Sequence, residues 1–233
     1  MTSAKFNLPL ETILARRPLI LDLASGSRAH RKKAQGRVTL DVMDLPDIDV
    51  VCDLNEGFPF LPDDSVDEIY SHNTLEHIDQ LLPLMDEIHR VLKRNGRKRL
   101  FVPHFSNPYY YSDPTHHHFF GFYTFYYFSD EQGHLKRPVP SFYFSRKFVV
   151  ERLRLRFISP FRVINVMYRL VEWLVNLSPR TQELYELSRR ARRDESRRPL
   201  ARKWRRRPQR PRDRRADLGA AHRDGGGGLW RRV

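Results

Sequence analysis

The sequence predicts an α/β domain built on a mostly parallel sheet, and three observations carry the prediction. Residues 19–23 are an aliphatic run that ends in a turn of small residues, Ala24, Ser25, Gly26 and Ser27. Further short runs at 37–42, 47–53, 66–70 and 99–102 alternate with connectors, a loop and a helical stretch. Alternation of this kind implies parallel strands joined by crossovers. Residues 81–94 carry Leu81, Leu84, Met85, Ile88, Val91 and Leu92 on one stripe at three-and-four spacing, which is an amphipathic helix.

The elements follow in chain order. Residues 19–23 read as a short buried strand whose glycine turn lets the backbone lie close to a ligand. A short basic connector (28–36) leads to a second strand ending near Asp41, and a third closes on Asp53. Residues 58–64 form a proline-punctuated loop before the fourth strand, which runs into Asn73. In the helix, Asp79 is a candidate cap and Pro83 is tolerable in the first turn. Lys93 and Arg94 suit the last turn, and Asn95-Gly96 supplies a stop. The fifth strand ends at Pro103. Residues 109–128 hold so many Tyr and Phe that they read either as a lid over the same sheet edge or as a satellite core. Residues 141–144 and 147–157 look like closing strands. The second alternates Leu and Arg as a half-exposed edge strand does.

Composition sets the bounds. A chain of 233 residues holds one α/β domain with an appendage. Cys52 is the only cysteine, so no internal disulfide or cysteine zinc cluster forms, which suits a cytoplasmic protein. The first ten residues read as neither signal peptide nor anchor. No window reaches the ~18 uninterrupted apolar residues of a membrane span. The net charge is +14, and residues 188–233 hold 17 Arg and one Lys against five acidic groups. The remainder is nearly neutral, so the basicity is a tail. Four consecutive glycines (Gly225 to Gly228) and repeated Arg pairs predict disorder there. Two readings stand for it: the product of a reading-frame change in a GC-rich gene, or a tether for nucleic acid. The expected organisation is an extension (1–17), one sheet domain (18–158), a helical segment (159–187) and the tail (188–233).

In open parallel sheets ligands bind beyond the carboxyl ends of the strands, near the switch in strand order. Asp22, Asp41, Asp53 and Asn73 all fall at or just after strand ends, so they gather on one edge. Such residues also satisfy turn amides, and both roles are open. Two nucleotide sites do not match: a Rossmann pyrophosphate loop needs Gly-x-Gly-x-x-Gly, where this chain has Ala24, Gly26 and His30, and a Walker loop is likewise absent.

The order of motifs resembles the class I S-adenosylmethionine-dependent methyltransferases of the small type 11 kind. Asp22-Leu-Ala-Ser-Gly26 is similar to the family's glycine-rich first motif, with Ala24 in place of its first loop glycine. Ser71-His-Asn-Thr-Leu-Glu-His-Ile78 resembles the fourth motif, and Ile88-His-Arg-Val-Leu-Lys-Arg-Asn-Gly96 the helix end before the fifth strand. The resemblance covers about residues 18–157. It implies a Rossmann-like methyltransferase sheet, mostly parallel with an antiparallel closing strand, in a single domain. It also implies S-adenosylmethionine as cofactor, with Asp41 on the ribose hydroxyls, Asp53 and Leu54 at the adenine, and Asp22, Ala24, Gly26 and Asn73 completing the site.

Methyl transfer from a sulfonium is an in-line displacement, in which alignment of donor and acceptor supplies much of the acceleration. A base is needed only where the acceptor loses a proton. His104, Asp113 and His116 are the catalytic candidates. His116, His117 and His118 are adjacent, and adjacent residues rarely point at one ion, so no metal is expected. His77, beside Glu76, reads as structural. The expected acceptor is a small molecule or a saccharide, since either stacks on aromatic rings. The second reading is a non-catalytic methyltransferase-like domain that binds nucleic acid through the basic tail alone.

Overall fold

A computed structural model describes residues 4–188. The Arg-rich stretch and both readings of it fall, from residue 189 on, outside the described residues. A six-stranded sheet forms the centre: β1 (Lys5–Phe6), β2 (Ile20–Leu23), β3 (Val38–Asp41), β4 (Val50–Val51), β5 (Val66–His72) and β6 (Leu92–Phe101), in the order β1-β4-β3-β2-β5-β6. Every pairing is parallel except β1 with β4. Five helices accompany it: α1 (Leu10–Leu14), α2 (Ala29–Lys33), α3 (Leu81–Val91), α4 (Arg162–Val175) and α5 (Pro179–Ser188).

The central strands β2 and β3 are buried along almost their whole length because both faces are covered. Leu21, Leu23, Val38, Leu40, Val66 and Ile69 are buried in one core with Leu84, Met85, Ile88 and Val91 of α3. Thr39 is tolerated inside this core because its hydroxyl donates to the Asp47 carbonyl at 2.6 Å, while its amide donates to Asp49 Oδ2 at 3.0 Å. Residues 4–17, expected to stand before the domain, contribute β1 to the sheet edge and the fully buried Ile13 to the core.

Three details depart from the sequence expectation. The antiparallel strand lies at the opposite edge, as β1; residues 147–157 and 141–144 form no strand and join no sheet. Arg97 and Arg99 of β6 line one groove with Arg152, Arg154 and Arg156, and like charges directly opposite one another disfavour a ladder. Asp79 does not cap α3, whose N-cap position is Gln80. Asn55, in the turn after β4, ties down the residues leading into the helix, its Oδ1 accepting the Asp79 and Gln80 amides at 2.9 and 3.1 Å. The helix also ends sooner. Leu92 is already extended, so Lys93 and Arg94 lie in β6 and Asn95-Gly96 makes an irregularity inside that strand. A Cβ at Gly96 would stand 2.8 Å from the Lys93 carbonyl oxygen, which demands glycine there.

Arg90 fastens the proline-punctuated loop to α3. It donates to the Phe58 and Leu61 carbonyls at 2.9 Å each and to Glu87 and Asp63 at 2.8 and 2.6 Å. Lys98 of β6 is the opposite case. Its amine is enclosed although the residue as a whole is half-buried, and its hydrogen-bond partner is the Met85 sulfur at 3.4 Å. Burial lowers its pKa to about 7. The folded state therefore binds this proton less well than the unfolded chain, and stability rises with pH between about 7 and the ordinary lysine range. Lys98→Met should accordingly stabilise the protein most below pH 7, with the gain fading as pH approaches 10. Thermal unfolding of both proteins across that range checks it; a gain independent of pH would refute the assignment.

Candidate cofactor and acceptor site

The chain leaves β2 for β3 and β4 on one side, then returns to β5 and β6 on the other. The order of strands therefore reverses between β2 and β5, and the crevice at their carboxyl ends is where such sheets take ligands. Its backbone is unusual on both sides. Ala24 follows β2 with φ of 50°, and Asn73 follows β5 with φ of 52°. For residues other than glycine this left-handed region costs about 1 kcal/mol, and such outliers cluster at ligand sites. Gly26 has φ of 57°, and a Cβ there would meet nothing within 4 Å, so the turn borders open space.

Asp41, at the end of β3, organises this turn. Its Oδ2 accepts the Gly26 amide at 2.8 Å and its Oδ1 the Met43 amide at 2.9 Å. The Ser25 amide donates to the Leu40 carbonyl at 2.9 Å, so the β2 turn is fixed to β3 at two points. Asp53 ends the β4 segment, exposed, with Oδ1 taking the Asn55 amide at 2.9 Å; Leu54 behind it is buried.

Asp22 has a different role from the one expected. It is 2% exposed, and its two oxygens take Lys32 at 2.6 Å and Arg37 at 2.8 Å, with the Ser25 hydroxyl at 3.1 Å. Asp22 binds the connector to the sheet. It presents no free oxygen to the crevice.

The aromatic stretch resolves into packing and a rim. Phe120 and Phe128 join the main core, while Phe122 and Tyr126 form a second small core with Leu135 and Val139. Tyr111 and Phe119 remain exposed. The satellite core is therefore the larger part of the answer.

The three catalytic candidates separate into two places. His104 Nε2 meets Glu186 Oε2 of α5 at 2.9 Å, and its Nδ1 accepts the Ser106 amide at 3.2 Å. Both ring nitrogens are engaged, with the proton on Nε2. Asp113 and His116 lie together, His116 Nε2 being 3.7 Å from Asp113 Oδ2. The Thr115 hydroxyl and amide hold Asp113 Oδ1 at 2.6 and 2.9 Å and keep its carboxyl below the usual range. Two residues that the sequence reading set aside, Glu76 and His77, stand beside this pair, with the His77 and His116 ring centroids 4.8 Å apart. Burial pushes the Glu76 carboxyl up. Nothing in local spacing could reveal this grouping, since His77 and His116 are 39 positions apart.

A cavity of about 1950 Å³ forms a groove between β6 and residues 146–158. It reaches Asn73, His104 and Ser106 at the strand ends, and its lining includes eight Arg residues: 90, 94, 97, 99, 146, 152, 154 and 156. Arg97 pairs with Glu151 and Arg99 with Glu68, each at 3.5 Å. No helix among the described residues is long and apolar enough to cross a membrane.

Residues 12–99 match the family described as a methyltransferase domain. A search of curated proteins gives no match. Among solved structures, an S-adenosylmethionine-dependent methyltransferase from Mesorhizobium loti is 23% identical over 36% of this chain and 46% of its own, with a TM-score of 0.30. One from Aquifex aeolicus is 21% identical over 38% and 59%, with a TM-score of 0.27. One from Archaeoglobus fulgidus is 19% identical over 74% and 90%, with a TM-score of 0.38. The chain thus spans about half the length of the first two. Over residues 12–99, 88 of its 233 residues, the chain is thus similar to the methyltransferase-domain family.

Proposed function

We propose that the protein transfers a methyl group from S-adenosylmethionine to a small-molecule or saccharide-like acceptor. The observation that carries this reading is the Asp41 carboxylate, buried at the strand-order switch and bonded to the Gly26 amide beside open space. Each oxygen of Asp41 takes one amide, and a carboxylate has about four acceptor positions in all, so two remain for the paired hydroxyls of a ribose. Asp53 and Leu54 offer a polar and an apolar partner to an adenine. The Ala24–Gly26 backbone, free of bulk, suits the amino-acid end. The residues present fit the cofactor. Asp22 is left out of this set because Lys32 and Arg37 occupy it.

When bound, the cofactor supplies an activated methyl group on a sulfonium. The work left to the chain is alignment and, for a protonated acceptor, removal of a proton. His104 does not suit that second task, because its Nδ1 lone pair faces the Ser106 amide. His116 donates from Nδ1 to the Tyr110 carbonyl at 2.9 Å, which leaves its Nε2 lone pair for the proton, with Asp113 beside it. The basic groove and its aromatic rim favour an acceptor that carries rings or hydroxyls together with negative charge.

Calorimetric titration with S-adenosylhomocysteine tests the reading. Saturable binding is expected, and none at millimolar ligand would sink the proposal. Asp41→Ala should weaken that binding at least tenfold, about 1.4 kcal/mol, with Asp41→Asn as the milder variant if the alanine form unfolds. An affinity unchanged in the folded variant would remove Asp41 from the ribose.

Asp22→Asn separates folding from binding. It strands Lys32 and Arg37, whose side chains are 18 and 21% exposed, so the cost is set below that of a fully buried pair, at about 2 kcal/mol. Urea unfolding should show that loss, while the folded variant keeps its ligand affinity. A variant of full stability and lost affinity would return Asp22 to the ligand site.

A further inference from the structure

We propose that Glu76, His77 and His116 form a binding site for one divalent transition-metal ion of the zinc class. One donor atom from each of the three lies within 4.8 Å of the others. Two histidines and a glutamate that leave a coordination position open are a donor set suited to such an ion.

The protons in the cluster decide the matter. The His116 Nδ1 faces the Tyr110 carbonyl oxygen at 2.9 Å, and a carbonyl can only accept, so Nδ1 carries the hydrogen and Nε2 the lone pair. His77 reaches the same state by a longer route. Its Nδ1 lies 2.9 Å from the Thr115 hydroxyl oxygen and 3.3 Å from the Thr115 carbonyl. That hydroxyl donates its only proton to Asp113 Oδ1 at 2.6 Å. It must therefore accept from His77, which again leaves Nε2 bare. A ring fixed through one nitrogen by a carbonyl or hydroxyl, with the other nitrogen free, is how metal-binding histidines are oriented.

The carboxylates complete the case. Glu76 is 1% exposed, and its Oε2 has no hydrogen-bond partner. Leaving a buried carboxylate oxygen unpaired is costly. Asp113 Oδ2 stands 3.7 Å from the bare His116 Nε2. Two nitrogen lone pairs and two carboxylates therefore converge with no donor among them, and a cation relieves all four at once. Ligands held at about 2.1 Å in a tetrahedron lie roughly 3.4 Å apart, so the cluster closes by side-chain rotation alone. Asp113, on the exposed side, is placed to be a fourth ligand. His117 and His118 stay out of the set: His117 turns to Asp79 at 3.3 Å.

The site uses none of the residues assigned to the cofactor, but it takes up His116 and Asp113, the base pair of the methyl-transfer reading. An ion bound there would take up the His116 lone pair and assume its part in deprotonating an acceptor hydroxyl. Full-length protein stripped with a chelator and then titrated with zinc against a chromophoric competitor should bind one zinc per chain. His77→Ala and His116→Ala should each weaken it at least about tenfold, and His117→Ala should leave it unchanged. His77 is exposed, so its variant remains informative if the loss of His116 disturbs the fold. Cobalt in place of zinc should give visible d–d absorption that both variants lose. No stoichiometric zinc, or a loss under tenfold in the folded His77 variant, would overturn the site whatever the result with S-adenosylhomocysteine.

Discussion

The candidate site depends on one constraint: β2 has a parallel partner on each side. A strand buried this way cannot be reached from its faces or edges, so a ligand can approach it only at an end. The chain departs from that end in one direction and arrives beside it from the other, and no crossover covers the gap. What lines the crevice then follows from strand ends alone. Asp41 comes with β3, Asn73 with β5, and the Ala24–Gly26 turn with β2 itself. The left-handed backbone at Ala24 and Asn73 is the local cost of turning away sharply enough to keep the gap clear.

The sheet was legible in the sequence because its strands are buried on both faces. Continuous aliphatic runs such as Leu19-Ile20-Leu21 leave little room for another reading. Helix α3 was legible for the same kind of reason, its apolar stripe being long enough to fix a period. Elements that rely on distant partners were not. Asn55 holds the entry to α3 across 24 residues, a link invisible to local spacing. The two residues of β1 are exposed and owe their pairing to β4. The stretch 147–157 has a strand-like alternation, yet alternation specifies only that a strand could form. Whether it pairs depends on what the neighbouring edge presents, and here residues 147–157 stay outside the sheet.

The two ligand-accessible regions have different origins. The crevice at β2 is a consequence of topology, and its polar groups point inward from backbone turns. The groove beside β6 exists because a sheet edge was left unpaired, and its walls are therefore long cationic side chains over aromatic rings. Volume favours the groove; chemistry favours the crevice. The groove reaches Asn73, which also borders the crevice, and His104, so a donor in the crevice and an acceptor in the groove, as proposed, share a boundary.

The aspartates and histidines show how far residue type alone can mislead. Asp22 and Asp41 both sit at strand ends and looked equivalent in sequence. Asp22 is saturated by two cations from its own connector, whereas Asp41 holds only backbone amides and keeps acceptor capacity. The same logic divides His104 from His116. A backbone amide reaches the Nδ1 of His104 and forces the proton to Nε2, where Glu186 takes it. A backbone carbonyl reaches the Nδ1 of His116 and forces the opposite tautomer. One ring is thereby closed into the fold, and the other keeps a lone pair on the side of Glu76, His77 and Asp113. The difference lies in a single neighbouring backbone group, donor in one case and acceptor in the other, and it determines which histidine is available for chemistry.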